Sequence, residues 1–121
     1  MPTAPGIVSF RQSVEPQPAA PDAARVLRGQ PRVVAWNHYS DPSQQFFAGV
    51  WNATRGCWRI HYTEHEFCHL LEGRVVLTSA MGERWEFVGG DSFVVPAGFA
   101  GTWEVVEDCR KLYAIFEANR G

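Results

Sequence analysis

Hydrophobic and polar residues alternate along most of this chain in short runs that are typical of β-strands. Each run is four to eight residues long and is rich in Val, Ile, Phe, Trp and Tyr. Turn-forming residues separate the runs at a spacing of roughly ten residues, and no long helical period interrupts them. This pattern predicts an all-β sandwich or barrel. The predicted strands are residues 31–37, 46–51, 57–62, 66–73, 74–79, 84–88, 92–95, 101–106 and 111–117.

Turn residues at three points of this pattern bear on the fold. Gly73 stands between two apolar runs, which predicts a hairpin turn there. Residues 107–109 predict a further turn before the last strand. Pro96 cannot donate a backbone hydrogen bond, so we expect it to end a strand or to lie at a sheet edge.

The first part of the chain differs in composition from the rest. Residues 15–24 contain three prolines and four alanines, which is typical of an extended arm. We therefore predict an N-terminal arm over residues 1–24 and one domain over residues 25–121. Within the chain, only residues 21–29 have the composition of a short helix. The total of 121 residues is an ordinary length for a single domain.

Composition and charge narrow the classes of function. Apolar residues make up 45% of the chain and charged residues 20%, as in soluble globular proteins. The net charge is −2 and no basic cluster stands out, so the sequence predicts no binding to nucleic acid. No apolar run is long enough for a membrane span, and the N-terminus lacks a signal-peptide pattern. We therefore expect a cytoplasmic protein that does not bind membranes.

Cysteine and tryptophan usage adds further expectations. The three cysteines are an odd number without a CxxC pair, so neither a disulfide framework nor an all-cysteine zinc cluster is expected. Five tryptophans in a chain of this size indicate a pocket or an interface, since tryptophan is seldom fully buried. Together with the proline-rich arm, the excess of aromatic residues predicts a homodimer with a two-fold interface.

The two short segments EFCHLLEG and GDSFVVPAG, in the β-rich region, resemble the two motifs of the cupin superfamily. Glu66 and Gly73 have the spacing of the first cupin motif, in the segment EFCHLLEG. The resemblance covers roughly residues 45–117 and implies a double-stranded β-helix, the jelly-roll barrel of that superfamily. The longer segment GDSFVVPAGFAGTWEV is similar to small cupins related to the ethanolamine-utilisation cupin and to ureidoglycine aminohydrolase, many of which have no established activity. The second cupin motif is matched by Gly90, Asp91, Pro96 and Gly98.

Most of the metal ligands of a typical cupin are missing from these motifs. The resemblance implies three histidines and one glutamate as ligands, and Glu66 supplies the glutamate. The histidine position of the second motif is occupied by Gly101. The two histidine positions of the first motif fall on Ile60 and Tyr62 or, if one residue is inserted, on Arg59 and His61.

Strand alternation predicts which side chains face the barrel interior. Glu66 and Cys68 share one face, and Gly101 and Trp103 share one face of a later strand. An inward carboxylate is costly to bury unless it is paired or protonated. Glu66 is therefore either an acid/base or ligand-anchoring group, with His61 as its candidate catalytic partner, or a glutamate at the rim that pairs with an arginine. We expect the indole of Trp103 to fill the volume that a histidine and a metal would occupy. The predicted pocket consists of Trp58, Tyr62, Cys68, Trp103 and Lys111.

Two members of this predicted pocket have alternative interpretations. Cys68 is either a nucleophile, if a neighbour lowers its pKa, or a small buried core residue, which is far more common. Lys111 follows a predicted turn, where it is either solvated or reaches the mouth of the barrel to bind an anion.

These observations leave three functions open. The first is a cupin that binds a small polar metabolite in the barrel, with or without turning it over, and that needs no cofactor and no conventional three-histidine metal site. The second is a metal-dependent enzyme of the aminohydrolase or dioxygenase kind, with a divalent transition metal held by His61 and Glu66. The third is a non-catalytic accessory protein whose barrel is only a scaffold.

Overall fold

The regular secondary structure of the chain is almost entirely β-strand, as a computed structural model that describes residues 5–118 shows. These residues form nine strands and one short 3-10 turn, which confirms the predicted all-β class. The 3-10 turn, Ala23–Arg25, lies where the sequence predicts a short helix. Within residues 5–118, no helical segment has the length and apolar character needed to span a membrane. The strands are β1 (Gln17–Pro18), β2 (Val26–Arg28), β3 (Val33–Ser40), β4 (Phe46–Ala53), β5 (Gly56–His61), β6 (His65–Ser79), β7 (Arg84–Val88), β8 (Ser92–Val95) and β9 (Ala100–Phe116).

Strands β6 and β9 are the long strands that organise the fold. They pair antiparallel along most of their length, from His65 opposite Phe116 to Ser79 opposite Gly101. Their register is irregular in the middle, and irregularities of this kind bend a sheet. One side of the bend carries β1, β3, β4 and β8, and the other carries β2, β5 and β7. The sheet therefore curls over itself into two layers, as in a jelly roll.

Two turns that the sequence predicts lie inside these long strands instead. Gly73 is not a hairpin turn but an internal residue of β6, with a φ angle of +97°. Residues 107–109 likewise continue β9 rather than ending a strand. A Cβ atom at position 73 would lie 2.4 Å from the carbonyl oxygen of Asp108, so the close approach of the two strands requires glycine. The turn-like composition therefore marks the bend between the layers. Pro96, in contrast, directly follows the end of β8, as expected.

The hydrophobic core lies between the two layers. Trp58 on β5 pairs with Trp103 on β9, which in turn pairs with Leu77 on β6. Directly paired residues point to the same face of a sheet, so these large side chains form one row on the inner face. Trp103 is 1% exposed and Val105 is 2% exposed, which places this side of β9 inward, as strand alternation predicts.

The N-terminal arm is built into both layers. β1 pairs with β3, with Gln17 opposite Ala35, and β2 pairs with β5, with Val26 opposite Trp58. Residues 19–25 therefore cross from one layer to the other at one end of the structure. The predicted boundary between residues 24 and 25 falls within the 3-10 turn.

Candidate binding site in the barrel

A cavity of about 590 Å³ lies between the two layers, and residues 19–25 border its mouth. Strands β3, β4, β5 and β9 supply most of its wall, and β6 supplies Glu66. The aromatic part of the lining consists of Phe47, Trp51, Trp58, Tyr62, Trp103 and Tyr113. The acidic and basic residues of the lining are Asp22, Arg25, Arg59, His61, Glu64, Glu66 and Lys111.

The carboxylate of Glu66 has a protein partner on each oxygen. The hydroxyl of Tyr62 donates a hydrogen bond to Oε1 at 2.7 Å. The ammonium group of Lys111 lies 3.0 Å from Oε2, and the two charged side chains are only 3% and 7% exposed. Removing one member of a buried ion pair leaves an uncompensated charge and typically costs about 3–5 kcal/mol. The three residues therefore form one coupled group inside the barrel.

Strand register explains why Lys111 reaches Glu66. Lys111 lies in the middle of β9, directly opposite Trp51 on β4 and Leu70 on β6. Its ammonium group is 4.3 Å from the ring centroid of Trp51 and 4.4 Å from that of Trp103, within the range of cation–π attraction. The expectation that Lys111 follows a turn, and is solvated or at the barrel mouth, is wrong. The turn does not exist because β9 is continuous, so the residue is buried inside.

The surroundings of Lys111 hold it in the charged state. Burial has the largest effect on the pKa of Lys111 and lowers it. The negative charges of Cys68, when ionised, and of Glu66 outweigh burial, so the pKa of Lys111 lies above its ordinary value. Lys111 is therefore an ammonium ion at neutral pH and not a free amine nucleophile.

The neighbouring thiol and phenols stay protonated at neutral pH. Cys68 is fully buried, and burial raises the pKa of its thiol from 9.0 to about 12. Burial and the charge of Glu66 raise the pKa of Tyr62 well above its ordinary value. The same two causes raise the pKa of Tyr113 to about 12. Of the two interpretations of Cys68, the structure therefore favours a buried core residue over a nucleophile.

Tyr113 and Asn37 form a second polar pair in the cavity wall. The hydroxyl of Tyr113 donates a hydrogen bond to Oδ1 of Asn37 at 2.8 Å. Gly49 makes room for this tyrosine, because a Cβ atom at position 49 would lie 2.6 Å from the hydroxyl oxygen. The indole N–H of Trp103 is also buried in this region and has no hydrogen-bond partner among the described residues.

The predicted catalytic and pocket residues come together, with one exception. Trp58, Tyr62, Trp103 and Lys111 line the cavity with Glu66, and Cys68 is buried beside Lys111 and Glu66. His61 is the exception, because its side chain is exposed at the rim of the cavity rather than beside the carboxylate.

The structure also decides which residues of β5 face inward. Ile60 and Tyr62 pack against the hydrophobic core. Arg59 and His61 are exposed and belong to the rim. Of the two possible pairs of positions for the missing histidines, Ile60 and Tyr62 therefore face the barrel interior, and Arg59 and His61 do not.

Gly101 is closely surrounded by backbone. It pairs with Ile60 on one side and with Ser79 on the other. A Cβ atom at position 101 would lie 1.9 Å from the carbonyl oxygen of Thr78. The position that holds a histidine in the second cupin motif therefore has no room for a side chain without a shift of the backbone.

Comparison with known proteins agrees with this architecture. A family model described as the EutQ-like cupin domain matches residues 40–113. The chain belongs to the EutQ-like cupin family. No curated protein matches this cupin.

Solved structures of related cupins cover different parts of the chain. A protein of unknown function of the DUF861 family from Pseudomonas syringae is 27% identical with a TM-score of 0.76, over 89% of this chain and 46% of that one. This cupin thus spans less than half of that protein. A DUF861 family protein from Thermotoga maritima is 31% identical with a TM-score of 0.52, over 53% of this chain and 73% of that one. The EutQ protein of Clostridium difficile is 14% identical with a TM-score of 0.65, over 74% of this chain and 71% of that one, and shares the fold.

A typical cupin metal ion does not fit the residues of this site. Glu66 is the ligand that the first motif would supply, but its oxygens already contact the Lys111 ammonium and the Tyr62 hydroxyl. A divalent cation on the same carboxylate would lie close to that ammonium, and like charges at such distances repel strongly. Within residues 5–118, no group of three or more His, Cys, Asp or Glu side chains is arranged to hold a metal ion. This geometry argues against His61 and Glu66 as a pair of metal ligands.

Sequence reasoning missed several residues of the cavity. Trp51 and Asn37 lie on β4 and β3, outside the cupin motifs, and enter the cavity only because those strands join the layer of β9. Asp22 and Arg25 belong to the segment at the junction of arm and domain, and nothing in its composition indicates that it borders a cavity. Inward alternation on β4 is the one local signal that points to Trp51.

Proposed function

We propose that this cupin binds a small polar metabolite in the cavity between its two layers. The observation that carries the proposal is the buried ion pair of Glu66 and Lys111, which lines the cavity wall. A buried ion pair is often no more stabilising than apolar residues of similar volume. Binding of a ligand therefore explains the retention of two charges in this wall better than stability does.

The polar groups of the wall define which hydrogen-bonding groups the metabolite must carry. The oxygens of Glu66 contact Tyr62, Lys111 and Cys68, and a carboxylate has about four lone-pair sites, so it can accept a further hydrogen bond from a ligand. The indole N–H of Trp103 is a donor without a partner among the described residues, and buried donors normally have one. A ligand with both donors and acceptors, and with a flat face to lie against the indoles, fits this wall.

Glu66 is the residue that would carry any turnover. It is the carboxylate that accepts a hydrogen bond from Tyr62 and contacts a fixed cation, Lys111. A carboxylate in this setting can accept a proton from a bound ligand and return it, as a general base and acid. The metal-dependent alternative has less support because Lys111 lies where it would repel a metal ion on Glu66.

A screen of small polar metabolites against ¹⁵N-labelled protein tests the proposal. We expect a binding metabolite to shift the indole N–H signals of Trp58 and Trp103. Glu66→Gln should weaken its binding roughly tenfold or more, since a hydrogen bond to a charged group contributes about 1.5–3 kcal/mol. Tyr62→Phe, which removes one hydroxyl from the wall, should weaken it less.

The matched control is Glu104→Gln, because Glu104 pairs with Arg28 on the outside of the structure. This variant should bind the metabolite with unchanged affinity. Circular dichroism should first show that Glu66→Gln is folded. If no metabolite shifts the indole signals, or if Glu66→Gln binds as well as wild type, the proposal is wrong and the scaffold interpretation takes its place.

A further inference from the structure

An outer groove of about 580 Å³ lies beside the mouth of the barrel cavity. It shares Arg25, Arg59, Ile60 and His61 with the lining of that cavity, so the two spaces meet at one rim. Both arginines are exposed. The other polar side chains of the groove are the hydroxyls of Thr78, Ser79 and Thr102.

Strand register places the groups of this groove side by side. Arg59 pairs with Thr102 across β5 and β9, and Thr102 pairs with Thr78 across β9 and β6. Paired residues share a face, and neighbouring strands are about 4.8 Å apart. The next row along the strands is that of Trp58 and Trp103, which face the core. The row of Arg59 therefore lies on the outward face of the same layer.

The charges around the groove favour an anion. Among residues 5–118, no carboxylate lines the groove, and neither Arg25 nor Arg59 takes part in an ion pair. Two acidic residues of the same outward face, Glu86 and Glu104, each pair with arginines elsewhere on the face. The guanidinium groups at the rim are therefore available to an external ligand.

We infer that this groove binds the anionic group, a carboxylate or a phosphate, of the ligand whose polar part enters the barrel. A guanidinium group donates two parallel N–H bonds to either anion, and threonine hydroxyls add single bonds. Asp22 and Glu64 line the barrel side of the rim and not the groove, so their charge directs an anion outward. The ligand class is an anionic metabolite that extends from the rim towards Glu66.

The assignment to the barrel ligand rests on the proposed function, whereas the anion site itself does not. The anion site depends only on Arg25 and on the outward row of Arg59, Thr102 and Thr78, and not on any group inside the barrel. It is therefore tested with free anions, which need no metabolite in the barrel.

Inorganic phosphate and acetate, titrated separately into the full-length ¹⁵N-labelled chain at constant ionic strength, are the probes. We expect saturable shifts of the backbone amides of Arg59, Thr78 and Thr102. The double variant Arg25→Gln/Arg59→Gln should raise the Kd at least tenfold, and both residues are exposed, so its circular dichroism spectrum should match wild type. Binding of phosphate alone assigns a phosphorylated ligand, and binding of acetate with similar affinity assigns a carboxylate.

Arg84→Gln is the matched control for the titration. Arg84 lies opposite Thr78 on the same outward face, but its guanidinium is 3.7 Å from Glu86, so its loss should leave the Kd unchanged. An equal loss of affinity in Arg84→Gln would overturn the site, because it would show only a general effect of surface charge.

The remaining outcomes separate the groove from the barrel. Shifts of the Trp103 indole without shifts of the groove amides would overturn the groove and leave barrel binding supported. No saturable shift with either anion would overturn the anion site, whatever the metabolite screen finds. The groove amides could shift with the anions while no metabolite shifts the indole signals. That result would support the anion site, and it would overturn both the proposed function and the claim that one ligand occupies groove and barrel.

Discussion

The ammonium group of Lys111 lies 3.0 Å from Oε2 of Glu66 inside the barrel, beside the rings of Trp51 and Trp103. In a typical cupin the corresponding glutamate binds a metal ion. In this member of the family, the cation beside the glutamate is part of the chain itself. The interior therefore holds a buried ion pair at the place where the cupin resemblance implies a metal site.

Loss of Lys111 should destabilise the fold strongly. Lys111→Met removes the cation and leaves the Glu66 carboxylate buried without its charge partner, which typically costs about 3–5 kcal/mol. The double variant Lys111→Met/Glu66→Gln removes both charges and should recover part of that loss. Urea unfolding of the single and double variants gives the free energies of unfolding.

The control for these unfolding measurements is Arg28→Gln, which breaks the exposed ion pair of Arg28 with Glu104. Exposed pairs contribute about 0–1 kcal/mol, so the control should unfold at nearly the wild-type urea concentration. A Lys111→Met variant as stable as the control would show that the buried pair is not coupled in the way described.

Stability should decrease at alkaline pH because the interior holds thiols whose pKa is raised. Burial raises the pKa of Cys68 from 9.0 to about 12 and that of Cys109 from 9.0 to about 11. Above about pH 9 the unfolded chain loses these protons while the folded chain keeps them, so the free energy of unfolding falls as pH rises. The raised pKa of Lys111 acts in the same direction, since the folded state also holds that proton more tightly.

Urea unfolding between about pH 8 and about pH 11 measures this dependence. The Cys68→Ala variant should show a shallower decrease because it has one fewer group with a raised pKa. A free energy of unfolding that stays constant over this range, or a decrease that Cys68→Ala does not reduce, would contradict the prediction.

Restoring a histidine at position 101 should not rebuild a cupin metal site. A Cβ atom there would lie 1.9 Å from the carbonyl oxygen of Thr78, so Gly101→His must displace backbone. Overpacking of this kind costs about 1–3 kcal/mol or more. The control is Gly6→His, because within residues 5–118 nothing beyond its chain neighbours lies within 4 Å of a Cβ added at position 6. Thermal unfolding of the two variants should show a large decrease for Gly101→His alone, and equal melting temperatures would refute the steric argument.

Purified protein should contain far less than one transition metal ion per chain. The physical reason is the Lys111 ammonium, which repels a divalent cation from Glu66. Elemental analysis after expression and purification without added metal measures the content, and His61→Ala should leave it unchanged. A stoichiometric metal that is lost in Glu66→Gln would contradict both this prediction and the electrostatic argument.

The outer face of the layer that contains β1, β3, β4 and β8 is the surface on which we expect the predicted homodimer to form. Phe67 and Val94 pair directly across β6 and β8 and are 46% and 60% exposed. In the next row of the same face, Phe46 and Phe116 pair across β4 and β9 and are 40% and 46% exposed. Contiguous apolar surface of this kind is typical of an interface. We expect a dimer at micromolar concentration in sedimentation velocity, and a monomer for Phe67→Glu.

A second variant tests whether any exposed apolar residue would give the same result. Met81 is 92% exposed in the turn between β6 and β7, away from the paired rows. Met81→Glu should therefore remain a dimer. Wild-type protein that sediments as a monomer at micromolar concentration would show that this face has no second copy as its partner.

Local pattern alone predicts much of the secondary structure and the inward or outward direction of many side chains. The inward direction of Glu66 and Cys68 follows from alternation along one strand, as does that of Trp103. The end of β8 before Pro96 follows from the missing N–H of proline. These properties depend only on residues that are close in sequence, which is why the sequence determines them.

The contacts that make the site depend on pairings between distant strands. Lys111 meets Glu66 and Trp51 because β9 joins β6 to β4 in a particular register, and no local pattern encodes that register. The role of Gly73 also depends on a distant strand. A glycine between two apolar runs suggests a turn, but here its lack of a side chain lets the backbone of Asp108 approach closely. Residues 19–25 border the cavity only because β1 and β2 join different layers. Tertiary structure decided these features because they are set by which strands pack together, and not by the preferences of any one segment.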